Sequence, residues 1–139
     1  MIYNQSMKCV VKNVDETFDL ARSVADGLQG GEIILLNGEL GAGKTTFTKG
    51  LAKALGITEV VTSPTFTFMK SYCGRLNLYH FDMYRVENED ELFELGLNDY
   101  LNAKDGVCVI EWNKFENLSN TKVINITTLG KNKREFEIL

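Results

Sequence analysis

The 139-residue chain has one proline, one tryptophan, one histidine and three cysteines, and each scarcity excludes something. With a single proline there is no room for a Pro-rich linker or recognition segment. The cysteines, Cys9, Cys73 and Cys108, are odd in number and far apart. They form neither a disulfide framework nor a C-x-x-C metal pattern, so a reducing, cytoplasmic setting is expected. No apolar run approaches the ~20 residues of a membrane span. Met1-Ile2-Tyr3-Asn4-Gln5 lacks the basic and apolar regions of a signal peptide. Positive charge is also scarce: 15 Lys and Arg stand against 19 Asp and Glu, a net charge of −4. Tight nucleic-acid binding by this chain alone is therefore not expected. The one basic knot, Lys131–Arg134, reads as a solvated turn. Low-complexity stretches and repeats are missing too. With 44% hydrophobic residues, the pattern is that of a single domain over residues 1–139.

Against these absences stands one glycine-rich stretch, LLNGELGAGKTTFTKGL, residues 35–51. Gly38, Gly43, Lys44 and Thr45 fit G-x-x-x-x-G-K-[ST], the phosphate-binding P-loop. Glycines let successive N–H groups turn toward one anion, and the helix that follows adds its unpaired N–H groups and positive dipole end. Ile33-Ile34-Leu35-Leu36 reads as a buried strand before the loop. Phe47, Leu51 and Leu55 read as the buried stripe of a helix after it. The candidate nucleotide-binding residues are thus Glu39, Leu40, Gly41, Ala42, Gly43, Lys44, Thr45 and Thr46. Lys44 is expected on the β- and γ-phosphates and the Thr45 hydroxyl on Mg²⁺.

Elsewhere the pattern alternates between helix and strand. Residues 7–11 read as a first strand. Asn13 and Glu16 have capping-box spacing, and Phe18, Ala21, Val24, Ala25 and Leu28 share one face of a helix stopped by Gly30-Gly31. Val60-Val61 reads as a short strand. Residues 65–72 and 76–85 read as a hairpin around Cys73-Gly74-Arg75. Asn88 opens a short helix that Gly96 ends. Residues 107–111 form another apolar strand, and 122–129 with 134–138 a closing hairpin. Mixed βα alternation and hairpins predict an α/β, three-layer fold around a sheet with both parallel and antiparallel pairs.

Three further stretches bear on chemistry. DGVCVIEW, residues 105–112, is an apolar strand ending in an acid, the Walker-B pattern. Glu111 is placed to hold Mg²⁺, directly or through water, or to orient the attacking water. In LYHFDMYR, residues 78–85, strand alternation puts His80, Asp82 and Tyr84 on one face. Asp82 is the better site carboxylate, and His80 reads more readily as a hydrogen-bonded structural residue. Arg85 is either a neutraliser of phosphate charge or a surface ion pair. In TSPTFTF, residues 62–68, Pro64 bends the chain before a strand, and Thr65 stands where nucleotide switches sense the γ-phosphate.

Taken in order, GELGAGKTT at 38–46, SPTF at 63–66, YHFDMYR at 79–85, ELGL at 94–97 and IEW at 110–112 give a resemblance. The chain resembles the bacterial TsaE (YjeE) family of the tRNA threonylcarbamoyladenosine machinery. The resemblance implies a small P-loop ATPase using ATP and Mg²⁺, weak in isolation. It implies work with two partners, TsaB and TsaD, which carry out threonylcarbamoyl transfer to tRNA. Contact with tRNA would come only through that complex, and ATP turnover would reset it. By matching position it implies that Lys44 and Thr45 serve phosphate and Mg²⁺. It makes Thr65 part of a switch-like loop and Asp82 and Glu111 the acidic site residues, with Trp112 beside the nucleotide. The family often continues I-E-W with Pro and Glu, where this chain has Asn113-Lys114.

Other readings compete. Asn113-Lys114-Phe115-Glu116 superficially resembles a guanine-reading N-K-x-D, but it follows the Walker-B-like strand directly and no D-x-x-G appears. A small-molecule kinase would bring an arginine-rich lid, and none is visible. A nucleotide-sensing scaffold that never turns over shares the same binding residues. No arginine is an obvious finger, so docking partners are expected to supply or reposition the missing positive charge.

Overall fold

The structure is a computed structural model that describes residues 7–64 and 67–139. Its described elements run β1 (Met7–Val11), α1 (Val14–Asp26), β2 (Ile33–Asn37), α2 (Lys44–Ala54), β3 (Met69–Tyr72), β4 (Asn77–Asp82), α3 (Glu89–Glu94), a 3₁₀ turn (Leu97–Tyr100), β5 (Gly106–Glu111), β6 (Thr121–Thr128) and β7 (Arg134–Ile138). All seven strands join one sheet in the order β1-β7-β6-β2-β5-β4-β3. The four central strands, β6, β2, β5 and β4, are mutually parallel, while β1, β7 and β3 add antiparallel pairs at the flanks. The mixed sheet expected from the sequence is therefore present.

Strands β2 and β5 read as near-continuous apolar runs because both sheet faces are covered there. One core gathers Ile34, Leu36, Leu78, Val107, Val109 and Ile124 under the helix residues Leu20, Ala21, Phe47 and Leu51. The other gathers Ile33, Tyr79, Phe81, Cys108 and Ile110 under Leu92, Leu97 and Phe115. These are the three layers. Helices α1 and α2 approach closely because position 50 is glycine: a Cβ there would stand 3.0 Å from both Ala21 Cβ and the Phe18 ring. That contact fixes α2, and with it the loop that α2 carries.

Local chemistry explains the ends of the elements. The Asn13 side chain accepts from Glu16 N at the start of α1, while Glu16 Oε1 accepts from Lys12 N. Helix α1 stops earlier than expected. Gly27 is its C-cap, and Gly30-Gly31, both at positive φ, shape the loop beyond it. Val60-Val61 is not a strand, and Val60 is 80% exposed. The first hairpin is shorter than read. β4 ends at Asp82, so Tyr84 lies beyond the strand rather than on a shared face. Thr65, the expected switch residue, lies outside the described residues, as does Phe66.

Candidate functional site

The C-terminal ends of β2, β4 and β5 are level. Leu36 pairs with Glu111, and Glu111 with Asp82, so the P-loop and both carboxylates emerge on one edge of the sheet. Open α/β sheets bind ligands at such an edge. The loop reaches α2 through Gly43 at φ 109°, a backbone angle that disfavours side chains. A Cβ at Gly41 or Gly43 would meet nothing within 4 Å, so the loop faces open space.

A cleft of about 260 Å³ lies there, lined by Leu40, Gly41, Gly43, Lys44, Thr45, Thr46, Ser63, Asp82, Glu111 and Trp112. It unites most of the residues expected from the sequence. Lys44 is only 6% exposed. Its Nζ donates to Gly38 O at 2.7 Å, lies 3.9 Å from Glu111 Oε1, and sits 4.0 Å from the centre of the Trp112 ring. Thr45 Oγ1 is 3.4 Å from Ser63 Oγ. Asp82 is half-buried, and its Oδ1 accepts from Tyr84 N at 3.0 Å. Glu39 and Leu40 project outward, Leu40 being 76% exposed, whereas Ala42 is buried. Arg85 lines a neighbouring hollow together with Asp82, Tyr84 and Trp112.

Trp112 follows Glu111 directly and has φ 56°. A left-handed angle costs an aromatic residue roughly 1–3 kcal/mol, and such strain collects at functional sites. Here it turns the ring across Lys44, against the Tyr84 ring at 5.1 Å.

Glu111 is buried, and a buried carboxylate needs partners. It has Lys44 on one side and His80 on the other, with His80 Nε2 2.7 Å from Oε2. The structural role read for His80 is therefore aimed at the site acid. Sequence reasoning also missed Arg134. The Lys131–Arg134 knot is not simply a solvated turn. Arg134 donates from Nε to Ala42 O at 2.9 Å and from a terminal nitrogen to Gly41 O at 3.4 Å. It ties β7 to the P-loop. Its single signal was being the first residue of a strand that closes beside the loop.

The site's donors fit a nucleotide with Mg²⁺. Among the described residues no three His, Cys, Asp or Glu are grouped to hold a metal by themselves. The oxygens of Thr45, Glu111 and Asp82 would leave most of the coordination to phosphates and water, which is how Mg²⁺ is usually held.

The model of the family described as threonylcarbamoyl adenosine biosynthesis protein TsaE matches residues 11–136. A Bacillus subtilis protein named tRNA threonylcarbamoyladenosine biosynthesis protein TsaE is 49% identical over 78% of this chain and 67% of its own. A Treponema pallidum protein of the same name is 40% identical over 95% of this chain and 99% of its own. The crystal structure of Bacillus subtilis YdiB superposes with a TM-score of 0.80 at 37% identity, covering 99% of this chain and 87% of that one.

Proposed function

The chain belongs to the TsaE family of threonylcarbamoyladenosine biosynthesis, and from that premise we propose that it is a Mg²⁺-dependent P-loop ATPase serving tRNA modification. The observation that carries the ATPase reading is the meeting of Lys44 and Glu111, 3.9 Å apart, at the mouth of a glycine loop on a helix N-terminus. Lys44 and the loop N–H groups bind the phosphates. Thr45 and Glu111 would supply oxygens to the cation, which when bound would offset phosphate charge. Glu111 or Asp82 orients the attacking water. Trp112 covers the buried ammonium and shields it from bulk water.

Such a set makes a slow hydrolase. An additional cation on the transition state is worth roughly 10³–10⁵ in rate. In this reading TsaB and TsaD, the partners implied by the family, supply or reposition that group, and hydrolysis resets their complex between turnovers. tRNA is met only through them.

The test is ATP hydrolysis by the purified chain, alone and with the TsaB–TsaD pair, with Lys44→Ala as control. Stimulation that vanishes with Lys44→Ala is the expected result. ATP binding with equal, negligible rates in both mixtures would overturn the ATPase reading in favour of a nucleotide-sensing scaffold.

A further inference from the structure

His80 is the chain's one histidine, and it is wholly buried in β4. An apolar side chain would fill the place without desolvating two ring nitrogens. Its Nδ1 has no hydrogen-bond partner among the described residues. Its polar chemistry therefore points at one group. In the parallel pair β4–β5, His80 stands opposite Val109, so Glu111, two residues on, lies on the same face and diagonal to the ring. The two side chains meet at 2.7 Å. An ionised carboxylate only accepts, so in this contact Nε2 carries the hydrogen. One oxygen of Glu111 is thus held from β4. The other, Oε1, faces Lys44 and the cleft.

We propose that His80 is a positioning residue: its Nε2–H holds Oε2 of Glu111 so that Oε1 is presented to the cation and water of the reaction. The proposal rests on the ATPase reading of the cleft. Without that tether, a buried carboxylate is free to turn both oxygens toward Lys44, and its lone pairs no longer point at a fixed spot.

Three variants separate positioning from packing. His80→Gln places an amide donor close to the Nε2 position, His80→Asn stops short of it, and His80→Leu offers only volume. Losing a group that orients a ligating carboxylate typically costs about 10–100-fold in metal affinity or activity. His80→Leu and His80→Asn are expected to lose that much in kcat and in the Mg²⁺ half-saturation of ADP binding. Mg²⁺-free ADP affinity should hold, and His80→Gln should recover most of the loss. A packing role gives the reverse order, with Leu tolerated best. Wild-type kcat and Mg²⁺ half-saturation in His80→Leu would overturn the proposal.

Because the chain has one histidine, imidazole nitrogen NMR reads it without ambiguity. The Nε2–H tautomer, with a resonance that moves in Glu111→Gln, is expected. An Nδ1–H tautomer indifferent to Glu111→Gln would overturn the proposal. If the wild-type chain shows no Lys44-dependent hydrolysis either alone or with TsaB–TsaD, the ATPase reading falls, while the NMR and Mg²⁺ readouts still decide the role of His80.

Discussion

The two flanks of the P-loop are built from opposite kinds of strand. On one side the parallel strands β5 and β4 bring Glu111 and Asp82 to the cleft, with His80 buried against Glu111. On the other side the antiparallel strand β7 brings Arg134, which among the described residues bonds to carbonyl oxygens of the loop and of its own hairpin. In the proposed reaction the first flank carries the groups that change. The second fixes backbone that must stay still. They act on neighbouring residues of the loop, the first flank on Lys44 and the second on Gly41 and Ala42.

The comparison breaks most sharply at Glu111. Glu111→Gln keeps shape and hydrogen-bonding capacity but loses the charge. Hydrolysis is expected to fall about 10²–10⁴-fold while Mg²⁺-free ADP affinity stays within a few-fold, since general-base assistance is typically worth that much. Single-turnover kinetics beside calorimetry would show the split. A parallel loss of binding would mean that Glu111 shapes the loop as Arg134 does.

Arg134→Ala should give the complementary pattern. Losing its bonds to Gly41 and Ala42 loosens the loop, and each hydrogen bond carries about 0.5–1.5 kcal/mol. A rise of about tenfold in KM for ATP, with kcat little changed, is expected from steady-state assays. Arg134→Lys, with one donor nitrogen in place of a planar fork, should recover only part.

A smaller effect marks a residue outside both flanks. The Asn88 side chain accepts from Glu91 N and caps α3. Asn88→Ala should lower unfolding stability by ~1 kcal/mol, and thermal unfolding beside an unchanged hydrolysis rate would confirm that this helix is scaffold.

The smallest effect at neutral pH concerns Cys108, three residues before Glu111 on β5 but facing the second core. Burial pushes its thiol up to about 12. The folded chain therefore keeps the proton more tightly than the unfolded chain, whose thiol titrates near its ordinary value. The stability linked to this group is fully present below about pH 8.5 and is lost as pH rises toward 12. Denaturant melts across that window should show the decline, and Cys108→Ala should flatten part of it. A thiol reagent should leave native Cys108 unmodified while labelling the exposed Cys73.

Much of this was legible beforehand, for reasons that differ by element. The P-loop was plain because its chemistry needs fixed residue types at fixed spacing, and β2 and α2 were plain because their apolar periods differ. The place of Glu111 was legible because an apolar run ending in an acid reads as a buried strand with its carboxylate at the strand's end. The Val60-Val61 strand was misread because two β-branched residues make a propensity, not a pairing partner, and Val60 faces solvent. The end of α1 was misplaced because Gly27 and the Gly30-Gly31 pair are equally good stop signals in a linear pattern. Arg134 was read as solvated because its partners, Gly41 and Ala42, lie 93 and 92 positions away in the chain. No local rule spans that interval.

What the amino-acid order determined alone was most of the elements and the glycine-spaced loop between β2 and α2, since helix and strand periods and glycine spacing are local properties of a chain. The order in which those elements lie side by side came from packing. Only the tertiary structure set β5 between β2 and β4, which put Glu111 within reach of Lys44 from one neighbour and His80 from the other. Only it turned Trp112 over the ammonium and closed β7 against the loop. The reason is physical. A buried charge is stable only where partners from distant parts of the chain converge, and convergence is a property of the folded core, not of any segment within it.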